Sequence, residues 1–222
     1  MEPQKERQLS DILTEIKEMR RMMDAGSSAF RHIYQAQKMR LLFLVAGFFA
    51  LFFPLAYQLL LSTYNYHNLI PRDLKVVYFI LLGLAWLAMI VLRTNLTLKA
   101  GRELIKDLTI WGLLKVVMSH PVWRSILPVW VVLILLPIKL IEYWPGVYFV
   151  HYAAIIMGLI MNMMGVAIRS SEYSLAGFWF IVSSFIGLFW IMMPTHIAFL
   201  VDFAPGCFLF ALIAYTRREK AA

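Results

Sequence analysis

One cysteine, Cys207, stands among the 222 residues, which excludes an intrachain disulfide and any cysteine-built metal site. Charge is scarce as well: 15% of the residues are Asp, Glu, Lys or Arg, against 61% that are hydrophobic. A soluble domain of this size has nowhere to hide so much apolar surface. Recognisable reaction motifs are also missing. The chain has no glycine-rich phosphate loop, His-Glu-x-x-His pair, Gly-x-Ser-x-Gly elbow or arginine ladder, so a catalytic, nucleotide-hydrolysing or voltage-sensing role is not expected. The five histidines share no ligand-type spacing, and neither a metal nor a cofactor is expected. The first forty residues lack the short apolar core and cleavage site of a signal peptide, so the first apolar run is expected to serve as its own insertion signal.

What the sequence does contain is long charge-poor apolar runs, and its mean hydropathy is +0.72. Such runs are expected to be α-helices crossing a bilayer, which needs about 20 apolar residues each. Six are read, over 41–61, 76–92, 126–141, 147–168, 174–193 and 196–215. The expected fold is an all-α, polytopic six-helix bundle over 41–216, preceded by a cytoplasmic helical segment over 1–40 and followed by a short tail over 217–222. Between the second and third spans, the connection 93–124 carries Lys99, Arg102, Glu103, Lys106 and Asp107 on one helical side with Leu98, Leu104, Ile105, Leu108 and Trp111 on the other. An interfacial helix is expected there.

The excess of positive charge, +8, is placed in the segments flanking the spans rather than in a nucleic-acid-binding patch. Eighteen of the 21 Lys and Arg residues fall before residue 41, in 93–124, at Arg169 or in the C-terminal tail, leaving Arg72, Lys75 and Lys139 for the opposite face. The positive-inside rule then puts both termini in the cytoplasm and favours anionic lipid headgroups as partners at that face. Compact loops and short tails fit a bacterial inner membrane.

Within residues 4–24, Leu9, Ile12, Ile16, Met19 and Met23 recur at steps of three and four. That is a short heptad seam, expected to oligomerise the protein or dock a partner, or else to lie on the membrane surface.

The run from Val147 to Arg169 is expected to be central. His151, Ala154, Gly158, Asn162, Gly165 and Arg169 recur along it at steps of three and four, which puts them on one helical side. Small side chains let membrane helices approach closely, so Ala154, Gly158 and Gly165, with Gly177, Ser184 and Gly187 of the next span, are read as packing positions. Intramembrane ionisable groups are costly and face a protein interior or water. Lys139, Glu142, His151, Asn162 and Asp202 are therefore the candidate binding residues, gathered in an outward-facing polar vestibule where Lys139 pairs with Asp202 or Glu142.

These readings leave three functions open. The first is an oligomeric channel or transporter subunit. The others are a non-catalytic membrane scaffold that docks a cytoplasmic partner, and an intramembrane enzyme acting on lipid with His151 or Asp202 as base.

Overall fold

The computed structural model describes residues 28–119, 146–189 and 193–219. After a helical stretch at 28–33, six α-helices are bounded among the described residues: α1 (Ala36–Tyr64), α2 (Arg72–Arg102), α3 (Ile110–Ser119), α4 (Gly146–Ile168), α5 (Ser171–Phe189) and α6 (Thr195–Glu219). No strand occurs among the described residues. Five of these helices, all but α3, are long and apolar enough to cross a membrane. The expected span 126–141 and the heptad seam within 4–24 lie outside the described residues, as do Lys139 and Glu142.

Helix α1 packs chiefly on α6, α6 on α5, and α5 on α4, while α2 touches the bundle mainly through α1. The α1–α6 contact is aromatic at its heart. Phe43 stacks on Phe210 with ring centroids 3.8 Å apart, and Tyr173 of α5 meets Phe210 edge-on at 4.7 Å. Gly47 makes room for the Phe208 ring, since a Cβ there would lie 2.9 Å from it. Helix α2 is different: Ile80, Leu84, Leu87 and Val91 all remain exposed. Without water against them, such side chains need lipid rather than protein, and a span of this kind requires no second apolar partner.

The second helix departs from the sequence reading. Instead of closing near Arg93 before a separate interfacial helix, α2 continues to Arg102. The chain then turns over 103–109, and Lys106 and Asp107 do not continue the helical face. Leu108 folds back over Gly101, whose missing Cβ leaves the space, and Arg102 Nε donates to the Leu108 carbonyl at 3.2 Å. Thr109 starts α3 as its N-cap, its Oγ1 accepting the Gly112 N–H at 3.1 Å, which satisfies an otherwise orphaned helix-end donor.

Both ends of the bundle are fastened by polar contacts. At one end, Glu103 accepts from Lys38, and His32 lies 2.9 Å from the same carboxylate. Lys38 and then His32 hold the Glu103 carboxyl below the usual carboxylate range. Nearby, Tyr173 donates to the Tyr34 carbonyl at 3.0 Å, and the Arg40 guanidinium lies over the Tyr215 ring. This is the basic end. At the opposite end Tyr57 pairs with His67 Nδ1 at 2.6 Å, and His196 with Gln58 Oε1 at 2.5 Å.

Two local features explain how α4, α5 and α6 keep their geometry. Helix α4 ends in a Schellman motif, with Ser170 N–H donating to Gly165 O at 2.8 Å and Arg169 N–H to Val166 O at 3.3 Å. Its left-handed residue is Arg169, φ 57°, where glycine is the usual occupant and an L side chain costs roughly 1–2 kcal/mol. In α6, Pro205 has no N–H for the Val201 carbonyl one turn earlier. Trp179 Nε1 donates to that carbonyl from α5 at 3.3 Å, which is how a neighbouring helix makes an intramembrane proline tolerable. Trp179→Phe keeps the ring but removes the donor. A loss of about 1 kcal/mol is expected, read as a lower thermal midpoint in detergent; in a Pro205→Ala background, where the helix supplies its own donor, the loss should vanish.

Candidate functional site

Two ionisable side chains meet inside the bundle. His151, on the second turn of α4, and Asp202, two turns into α6, are separated by 51 residues in sequence and joined by a 2.7 Å hydrogen bond between Nδ1 and Oδ2. Their side chains are 1% and 0% exposed. Helix α5 closes the site from the third side. Gly187 lies against the imidazole so closely that a Cβ there would clash with it, 2.2 Å from Cε1 and 2.7 Å from Nε2. Ser183 and Ser184 of the same helix lie beside the Asp202 carboxyl. Ala154, one turn beyond His151, is wholly buried.

The hydrogen bonding is incomplete in an informative way. Ser183 Oγ makes a long bond to the Phe180 carbonyl, 3.5 Å. Among the described residues, three other buried polar atoms, His151 Nε2, Asp202 Oδ1 and Ser184 Oγ, have no hydrogen-bond partner. Buried polar groups are nearly always satisfied, so several orphans in one place call for a reason. They occupy one three-helix junction.

Charge defines what the pair can do. A neutral imidazole beside a carboxylate leaves a net negative charge in a low-dielectric interior, which is strongly disfavoured. One added proton removes that charge, either as imidazolium–carboxylate or as imidazole–carboxylic acid. The two forms differ only by the position of a proton along the 2.7 Å bond.

The sequence-derived candidates are thus divided. His151 and Asp202 are brought together, but they are closed off from the surface and do not line an open vestibule. Asp202 is engaged by His151, whereas Lys139 and Glu142 are not among the described residues. Asn162 does not join them. It lies eleven residues beyond His151, roughly 16 Å along α4, and its Nδ2 donates to Gly158 O of its own helix at 3.1 Å. There it forms part of a close helix crossing. A Cβ on Gly158 would lie 2.6 Å from Gly177 O, one on Gly177 would lie 2.6 Å from Gly158 O, and one on Gly165 would lie 3.0 Å from Ser174 N. From the sequence, Ser183 pairs with Gly187 only as a small-residue packing face, and Trp179 carries no site or packing signal. Ser183 precedes a small-residue position, and only the spatial position of Pro205 explains Trp179.

No family model, curated protein or solved structure matches the chain. Its class therefore rests on the five long apolar helices: it is a multi-pass, all-helical membrane protein. Among the described residues no group of three or more His, Cys, Asp or Glu side chains is arranged to hold a metal ion.

Proposed function

We propose that this protein is a proton-handling membrane protein of channel or transporter type, with His151 and Asp202 as its proton-binding pair. The observation that carries the reading is the fully buried 2.7 Å contact between two ionisable side chains, whose outer atoms, Nε2 and Oδ1, have no partner among the described residues. A purely structural pair would ordinarily have its remaining donors and acceptors satisfied. Proton binding neutralises the site, and α5 touches both partners, through Gly187 on the imidazole and Ser183 and Ser184 on the carboxyl. A change in protonation therefore alters the packing of three spans at once.

In this proposal the basic end, with Arg31, Lys38, Arg40, Arg102 and Arg169, faces the cytoplasm of a bacterial inner membrane. His151 and Asp202 then lie in the outer half of the bilayer. The heptad seam within 4–24 would bring copies of the chain together.

The test is flux. Purified protein in proteoliposomes with an internal pH-sensitive dye is expected to dissipate an imposed pH gradient. Asp202→Asn and His151→Gln should each lower the rate at least tenfold while the protein still elutes as one folded species. Equal rates in the parent protein, both variants and empty vesicles would reject the proposal.

A further inference from the structure

At the basic end an open cleft of about 480 Å³ lies between residues 28–37 and the α4–α5 turn. Arg31, His32, Gln35, Arg169, Ser170 and Glu172 contribute to its walls. Arg31 and Arg169 line the cleft from segments far apart in sequence. Neither takes part in an ion pair or side-chain hydrogen bond among the described residues.

The other charged groups of the cleft are engaged. The Glu172 side chain is buried and accepts from Ser170 Oγ at 2.7 Å, and His32 is held by Lys38 and Glu103. The Ser170 hydroxyl does not remove the Glu172 charge, but the walls hold two guanidinium side chains against that one carboxylate, so the balance is positive, and the Gln35 amide adds a neutral donor. Arg169 also occupies a left-handed position that favours glycine, and a strained residue of this kind points to a role for its side chain. The level of the cleft is informative too. Its walls include Ala36, the first residue of α1, and Ile168, the last of α4, so it opens where two spans leave the apolar layer.

We propose that this cleft binds a phosphate anion through the paired guanidinium groups of Arg31 and Arg169. Planar guanidinium forks match phosphate oxygens two at a time. The chemistry is shared by a lipid headgroup and by free phosphate, and the position at the end of two spans favours the lipid. The assignment is independent of the His151–Asp202 pair.

Full-length protein in nanodiscs made from mixed phosphatidylglycerol and phosphatidylcholine provides the test, with bound lipid counted by native mass spectrometry. Phosphatidylglycerol should be retained over phosphatidylcholine. Arg31→Gln and Arg169→Gly should each weaken that preference about fivefold, the effect of one basic residue at an anionic surface. Arg169→Gly separates binding from folding, because it relaxes the backbone and should raise the thermal midpoint while reducing lipid retention. Retention insensitive to millimolar inorganic phosphate supports a lipid headgroup as the ligand. Displacement by inorganic phosphate supports the same site with a soluble ligand. Equal retention of the two lipids, together with no effect of inorganic phosphate on the protein's thermal midpoint, or full phosphatidylglycerol preference in a folded Arg31→Gln/Arg169→Gly protein, would overturn the assignment.

Discussion

Asp202→Ala is expected to destabilise the protein by about 3–5 kcal/mol, the usual cost of removing one partner from a buried ionisable pair. The substitution leaves the Nδ1 side of His151, 1% exposed, with no acceptor in a region where water cannot compensate. Asp202→Asn should cost much less, because an amide oxygen can still accept from Nδ1 at the same distance. The informative comparison is a double-mutant cycle. Replacing both partners with apolar side chains, as in His151→Phe/Asp202→Leu, should recover most of the loss, since neither buried polar group is then stranded. Reversible unfolding in mixed detergent micelles, followed by tryptophan fluorescence, gives the four free energies. Additive losses across the cycle would mean that the two side chains do not stabilise one another.

The second large effect lies at the α4–α5 crossing. Gly158→Val is expected to cost more than about 3 kcal/mol, at or beyond the upper end of ordinary overpacking. The added atoms meet the Gly177 carbonyl, which is backbone and cannot turn aside. Separating α4 from α5 would also move Gly187 and Ser184 away from the His151–Asp202 pair, so under the proposed function stability and proton flux should fall together. Gly83 provides the control. It lies on α2, and a Cβ added there would meet nothing within 4 Å. Gly83→Ala should therefore be neutral or stabilising by up to about 1 kcal/mol, because alanine is the better helix former. If Gly158→Val and Gly83→Ala shift the thermal midpoint equally, close backbone approach is not what holds α4 to α5.

The features most readable from sequence were those controlled by neighbours along one helix. Runs near 20 apolar residues mark the spans, and the spacing of Ala154, Gly158 and Gly165 identifies one side of α4 before any partner is known. The boundaries were less accessible. Leu108 covering Gly101 and Thr109 capping α3 set the end of α2 and the start of the next helix, and both depend on a turn that the apolar periodicity does not encode. The site was legible only as a set of costly residues. Which of them meet depends on the lateral order of helices, and apolar spans carry almost no sequence record of their neighbours.

Composition and periodicity alone therefore determined that this chain must place long helices in lipid and keep its few intramembrane polar groups away from acyl chains, because solvation energies act on each segment separately. Tertiary structure decided that His151 faces Asp202 rather than an open vestibule, that Asn162 stays with its own helix at the Gly158–Gly177 crossing, and that Trp179 serves the carbonyl freed by Pro205. The first and last depend on hydrogen bonds of about 3 Å between residues far apart in sequence, the other on the close Gly158–Gly177 approach, and only the packing of α4, α5 and α6 sets such distances.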